Sequence, residues 1–273
     1  MILLAIVAAT PLLLAVEGEL VVQRSGIINL GIEGLMLTAA MTAVLTAHAT
    51  HSTGLAFLGG IAGAMLIALA FGTLVIHFHA DQIVTGTAIN LLALGATGFV
   101  YRELQEVFSS VTQVGVDVIT PLAWIVMPIA LGFLLWRTRF GLRLRACGEN
   151  PEAVAATRAS VSLHRWAALA IEATLAGLAG AHLALALSSG FAENMTAGRG
   201  FIALSIVIFG RWKLRGALLG TALFGIAAAL QYALQAMSLA LPYQLLLAFP
   251  YVLTLLILCG IAGRVRAPES LGR

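Results

Sequence analysis

Glu17, Glu19, Arg24, Glu33, Glu172 and His182 all stand within or beside long apolar runs. An ionisable group at membrane depth is costly, and it is usually paired or faces water. Two kinds of chemistry are open to such groups: polar contact with a solute, or proton relay. The plainer alternatives are an interfacial place for the first three, with Glu19 paired to Arg24 near one turn away, and a hydrogen-bonded packing role for His182. Glu172 can pair with a neighbour or serve a solute, and the sequence does not choose between these. Glu33 differs because Gly31 and Gly34 flank it. Irregular backbone inside a membrane persists only where protein or a water path satisfies it. A helix broken at such a point is a pointer to a substrate site.

Two further stretches carry polar chemistry. Gln82, Gly86 and Asn90 recur every four residues, so they lie one above another on a helix face, with Thr97 near the same face. Such a stripe avoids lipid and faces other helices or a pore; helix–helix hydrogen bonding is the plain alternative. Arg199 lies between Gly198 and Gly200 at the start of a short apolar run. That arrangement suits a sharp entry into a half-helix whose N-terminus attracts anionic groups; the alternative is a snorkelling cation. Asn29, Glu33, Gln82, Asn90 and Arg199 are thus the candidates for a polar path. His48, His51, His77, His79 and His164 fall at span ends and need no special explanation.

Catalytic and metal signatures are missing from the pattern. The single lysine, Lys213, sits between Trp212 and Leu214, so there is no phosphate-cradling loop of the Gly-Lys-Ser/Thr type. No nucleophile–base spacing, H-E-x-x-H or paired-carboxylate constellation is evident, and Cys147 and Cys259 give no metal framework. The sequence predicts no catalytic residues, no metal site and no cofactor bound by this chain. Both cysteines map to or near the cytoplasmic side, where a disulfide is not expected.

The elements that position these residues follow from composition. Hydrophobic residues make up 60% and charged residues 10% of 273, with a mean hydropathy of +1.01. Globular chains carry about a quarter charged residues, so the expected fold class is all-α: a polytopic transmembrane helical bundle. The ten-residue alternation of a β-barrel is absent. Apolar segments run over 1–22, 30–48, 54–78, 83–101, 120–136, 165–187, 200–210, 216–237 and 242–262. That gives about eight or nine segments in one domain spanning 1–273, with 200–210 too short to cross alone and read as half of a broken helix. The N-terminal run lacks a positive leader region and reads as a retained first span.

The net charge is +3, and twelve of the fifteen basic residues fall in three clusters, Arg137 to Arg165, Arg211 to Arg215 and Arg264 to Arg273. This is the signature of membrane orientation rather than of nucleic-acid binding. It places the 137–164 loop and the C-terminus on the cytoplasmic face, and the acids Glu103, Glu106 and Asp117 outside. Within that loop Asn150 can cap a short helix, Pro151 suits its first position and Glu152 complements its dipole. Small residues follow at Ala153, Ala155 and Ala156. A small-faced cytoplasmic helix over 149–158 can enter a groove on another protein; a solvated linker is the plain alternative.

Four motifs occur in one order that is found elsewhere. Cys147-Gly148-Glu149-Asn150-Pro151-Glu152-Ala153 resembles the coupling loop of ABC-transporter permeases of the branched-chain amino acid, simple sugar and nucleoside group. Gly26–Gly34 (GIINLGIEG), Gln82–Leu92 and Thr196–Trp212 resemble three more segments of the same group. The likeness runs from about residue 10 to residue 225 and is nearest to the shorter permeases of nucleoside-type importers. It implies a bacterial inner-membrane permease subunit, not an enzyme, that forms a path for a small polar solute among membrane lipid. It also implies partners: an ATP-binding subunit docked on Glu149, Asn150, Pro151, Glu152 and Ala153, a second permease subunit, identical or homologous, and an extracytoplasmic solute-binding protein. ATP would be used by the partner subunit. A nucleoside is the first cargo expected, with a simple sugar or branched-chain amino acid next. The rival from another class is a stand-alone secondary transporter or channel, coupled through Glu33, Glu172 and His182 and making no use of 149–158.

Overall fold

The computed structural model describes residues 2–108, 118–188, 190–236, 252 and 267–272. Their elements are helical: α1 (Ile2–Arg24), α2 (Ile32–Thr50), α3 (Thr53–Gly72), α4 (Gln82–Glu103), α5 (Gln105–Phe108), α6 (Ile119–Pro121), α7 (Met127–Arg137), α8 (Arg139–Glu149), α9 (Pro151–Ala156), α10 (Val161–His182), α11 (Arg199–Phe209) and α12 (Leu214–Ala236). Wide π-helical turns extend α3 through Thr73–His77, join α6 to α7 through Leu122–Val126, and extend α10 through Leu183–Leu187. Among the described residues seven helical runs are long and apolar enough to cross a membrane, and Arg199–Phe209 is a shorter apolar helix. The first eight expected segments therefore correspond to helices. The ninth, 242–262, lies outside the described residues apart from Val252, as do Cys259 and Asp117.

Burial divides the bundle into two layers. In the spans Ala5–Arg24 and Val161–Leu187, 83% and 78% of the most apolar window is buried, against 22–33% in the spans from α3, α4, α6–α7 and α12. α1, α2 and α10 thus form the inner bundle, and the other spans pack around it. Small residues set the spacing, as is usual where helices meet in lipid. A Cβ on Gly177 would lie 2.6 Å from Ile61 Cα, and one on Gly18 3.1 Å from Glu172 Cα. Other glycines behave alike: Gly59 and Gly63 sit on Thr46 and Thr42 of α2, and Gly216 on Gly210.

The two ends of the bundle differ. At one end the last turn of α1, the loop after α11 and the α8–α9 hairpin meet. At the other, Tyr101, Phe108 and Phe191 form a ring cluster with centroids 5.3–5.8 Å apart. The Arg102–Glu193 ion pair, N–O 3.0 Å, lies beside it. At the hairpin end α1 stops at Arg24, and residues 25–31 form an irregular link before α2 begins at Ile32. The flanking glycines suggest a break at Glu33 itself; it comes earlier, and Glu33 and Gly34 both lie in the first turn of α2.

Candidate functional site

The irregular link carries backbone groups that no helix satisfies, and side chains of α4 supply partners for two of them. On α4, Gln82 Oε1 accepts from Ile28 N–H at 2.7 Å. Asn90 Oδ1 accepts from Gly34 N–H at 2.8 Å, and its Nδ2 donates to the Leu30 carbonyl at 2.7 Å. Between them Gly86 admits the link itself: a Cβ there would lie 2.8 Å from Gly31 N and 2.8 Å from Leu30 Cβ. The polar stripe on α4 is thus seated against protein backbone rather than lipid.

Glu33, in the first turn of α2, crosses to α11. Its Oε1 accepts from Gly198 N–H at 2.7 Å and its Oε2 from Gly200 N–H at 2.6 Å. A helix N-terminus holds unsatisfied N–H groups and a partial positive charge, and here a carboxylate remote in sequence occupies it. Gly198 adopts φ +83°, which a larger residue resists. Arg199 follows it as the first residue of α11. Its Nη1 donates to the Met195 and Thr196 carbonyls at 3.1 Å each, turning back over its own loop. α11 is eleven residues, about 16 Å long, so Glu33 lies roughly half a bilayer core away from the Trp212 end.

The remaining buried acids form a second group on α1 and α10. Asn29 Nδ2 donates to Glu172 Oε2 at 2.7 Å, while Asn29 Oδ1 accepts from Gly31 N–H at 2.9 Å. Glu19 and Glu172 face each other, and among the described residues Glu19 Oε2 and Glu172 Oε1 have no hydrogen-bond partner. Gln23 Nε2 donates to Glu19 Oε1 at 2.7 Å, and Trp212 Nε1 donates to Gln23 Oε1 at 2.6 Å. Two hydrogen-bonded pieces, Trp212–Gln23–Glu19 and Glu172–Asn29, thus meet where the two carboxyl groups face each other. Glu19 is fully buried, bonded to Gln23 and facing Glu172, which corrects the interfacial Glu19–Arg24 pairing considered from the sequence. Arg24 Nε instead donates to the Trp212 carbonyl at 2.8 Å, and Arg24 Nη1 lies 4.0 Å from Glu149. Glu17 is equally buried, and among the described residues neither of its oxygens has a hydrogen-bond partner. The same holds for both ring nitrogens of His182, which corrects the expectation of a hydrogen-bonded packing residue.

Of the five expected path residues, the structure brings Asn29, Glu33, Gln82 and Asn90 together around the link and leaves Arg199 at the mouth of α11. Sequence reasoning missed Glu19 and Gln23 as partners of the site. Their four-residue spacing was the available signal. Among the described residues no group of three or more His, Cys, Asp or Glu is arranged to hold a metal.

The α8–α9 hairpin makes the other candidate surface. Asn150 Oδ1 accepts from Ala153 N–H at 2.9 Å, so it caps the helix that begins at Pro151. The helix is shorter than expected, Pro151–Ala156, because Glu149 still belongs to α8 and Arg158 turns with φ +60°. Val154 anchors it inward, while Glu149, Asn150, Glu152, Ala153, Ala155 and Ala156 are exposed. Just before it, Cys147 is wholly buried, and that burial pushes its thiol above the usual cysteine range, only partly offset by the Arg165 guanidinium.

An apolar bundle with a buried polar contact set around a broken helix, and a capped knob at one end, defines a membrane-spanning transport component. The chain belongs to the family of branched-chain amino acid transport system permease components, whose model matches residues 1–258. It is similar to the guanosine ABC transporter permease protein NupQ of Bacillus subtilis, 34% identical over 98% of this chain and 93% of the relative. The nucleoside ABC transporter permease protein NupC of Lactococcus lactis is 31% identical over the same shares. The putative glucose ABC transporter permease protein TsgC13 of Haloferax volcanii is 35% identical over 86% of this chain and 77% of the relative. No solved structure matches. The chain is thus a multi-pass membrane protein and the permease component of a transport system.

Proposed function

We propose that this chain is a permease subunit of an ABC importer and that its cargo is a nucleoside. Near full-length similarity to permeases named for guanosine and for nucleosides supports the cargo; the relative named for glucose makes a sugar the second reading. An ATP-binding subunit hydrolyses ATP and docks on Glu149 to Ala153, a second permease completes the path, and a solute-binding protein delivers cargo from outside. The chain sits in the bacterial inner membrane with its α8–α9 hairpin and C-terminus in the cytoplasm. The path runs past the 25–31 link, with Asn29, Glu33, Gln82, Asn90 and Arg199 fixing its wall.

The observation that carries this reading is α9: a capped helix with Val154 turned in and a small, acidic, exposed face turned out. Such a face fits a groove without side chains to clash. Replacing Glu152 with Arg and Ala153 with Trp reverses the charge and fills the face while leaving the Asn150 cap in place. Native membrane insertion is expected, with several-fold less ATP-binding subunit co-purifying and guanosine uptake falling in step. Native co-purification and uptake in this double variant would remove the reading.

A further inference from the structure

The last four C=O groups of a helix lack partners within it. In α8 two of them, those of Cys147 and Gly148, are met from the far end of the chain. Ser270 N–H donates to the Gly148 carbonyl at 2.9 Å. Ser270 Oγ lies 2.9 Å from the Cys147 carbonyl and 2.7 Å from the Gly148 carbonyl, donating its one proton between them. Two residues on, Gly272 N–H donates to the Gly26 carbonyl at 3.1 Å. Leu271 packs against the main core, and Ser270 is 6% exposed.

Gly26 opens the broken link. Its φ is +93°, and a Cβ there would lie 2.8 Å from Ser270 Oγ and 3.3 Å from Gly148 Cα. Three pieces of chain, at 26, 147–148 and 270–272, therefore close on one another with no room for a side chain between them. On one side of this closure Asn150 starts α9. On the other, three residues past Gly26, Asn29 binds Glu172.

We propose that residues 267–272 form a strap that makes the end of α8 move as one body with the broken link, with Ser270 as its positioning residue. The proposal rests on the reading of α9 as the place where the ATP-binding subunit acts. A displacement of α9 shifts the Cys147 and Gly148 carbonyls. Ser270 follows them, and Gly272 carries the shift to Gly26 and so to the Asn29–Glu33 segment. Direct contacts run the same way, since Gly148 packs on the Arg24 carbonyl and Glu149 lies near Arg24. The strap adds hydrogen bonds to that contact, and hydrogen bonds transmit pull as well as push.

The test uses the whole importer in lipid vesicles, with ATP-binding subunit, both permeases and binding protein, and guanosine as the probe. Native chain is compared with Ser270→Ala, Ser270→Thr and a chain ending at Arg266. The ATP-binding subunit is expected to co-purify normally and to hydrolyse ATP in all four. Guanosine moved per ATP is expected to fall about fivefold in Ser270→Ala, the effect of one buried hydrogen bond on an equilibrium, and further in the shortened chain. Ser270→Thr keeps the hydroxyl and should recover most of the ratio. A native ratio in Ser270→Ala overturns the proposal, whatever the shortened chain does. So does a loss of co-purification in Ser270→Ala with the ratio unchanged, because the tail would then only shape the docking surface. Failure of the underlying reading is a different result: the Glu152→Arg, Ala153→Trp variant would dock and transport normally, independently of Ser270.

Discussion

A methyl group at Gly200 would lie 2.6 Å from Glu33 N and 2.7 Å from Glu33 Cα. Those are backbone atoms of α2 and cannot swing aside, so Gly200→Ala must separate α11 from α2. The two charge-assisted hydrogen bonds of Glu33 would stretch, and the expected destabilisation is about 2 kcal/mol or more. For a chain of this size that lowers the melting temperature of the detergent-purified protein by roughly 4–8 °C. At Glu33 itself the order should be native, then Gln, which keeps one acceptor oxygen, then Leu, which keeps none. Equal melting temperatures for Gly200→Ala and native would refute the cap. The sequence marks both halves of this contact, Glu33 by its flanking glycines and Arg199 by its own. It does not join them, because 165 positions separate donor and acceptor and only packing brings them together.

Glu172 extends the same logic. Glu172→Gln can still accept from Asn29, whereas Glu172→Leu leaves the Asn29 amide buried without that partner, a cost of about 1–3 kcal/mol. The expected result is near-native folding yield for Gln and a clear loss for Leu. Cys147 titrates outside the spans. With its thiol raised above the usual range, little thiolate forms at neutral pH, so alkylation by a permeant maleimide should be slow near pH 7 and speed up only well into the alkaline range. Fast neutral alkylation in the folded protein would contradict both the burial and the direction of the shift.

Among the elements, α4 shows how a polar stripe is put to use. Each of its two amides bonds a backbone group of the link or of the first turn of α2, and Gly86 lets the chains touch. Asn90→Leu removes two such bonds and leaves Gly34 N–H and the Leu30 carbonyl with lost partners. It should therefore lower thermal stability by about 2 kcal/mol and lower guanosine uptake together, with binding-protein affinity unchanged. Stability retained while uptake falls would point to direct solute contact by Asn90, and loss of neither would remove it from the site. The sequence supplies the existence and approximate bounds of eight helical segments, since an apolar length of about twenty residues is set by the membrane itself. It also supplies the Asn150–Pro151 helix start, a local matter of capping. The π-helical turns at Thr73–His77, Leu122–Val126 and Leu183–Leu187 are not legible, because they depend on how neighbouring helices press. The roles of Glu19 and Gln23 are hidden for the same reason. Their spacing announces a shared face, but only the position of α10 and of the α11–α12 turn decides what that face meets.

At the scale of the whole molecule, charge and aromatic residues divide between the two ends. Arg24, Glu149, Trp212 and Ser270 meet at the hairpin end, close to the basic runs Arg137 to Arg145 and Arg211 to Arg215. At that end Arg211 and Trp212 both adopt positive φ, 54° and 53°, a strained pair held by the Trp212 bonds to Gln23 and Arg24. The opposite end carries the Tyr101–Phe108–Phe191 cluster and the Arg102–Glu193 pair. Basic loops stay in the cytoplasm, so the hairpin end should face inward and the aromatic end outward. Ser109 and Ser189 lie outside the described residues, and Ser270 is too buried to report a side. Exposed, described positions serve instead: Thr50 at the end of α2 and Glu103 at the end of α4 for one face, Glu149 and Glu152 for the other. Single cysteines at these sites, in a chain with Cys147 and Cys259 replaced by Ser, should separate cleanly when intact cells meet a membrane-impermeant maleimide. Thr50→Cys and Glu103→Cys should label in intact cells, and Glu149→Cys and Glu152→Cys only after the membrane is opened. Labelling of Glu149→Cys from outside would turn the bundle over and put α9 beyond the reach of any cytoplasmic ATP-binding subunit. That result would end the docking reading and the strap argument built on it, while leaving the polar contacts around Asn29 and Glu33 as the structure shows them.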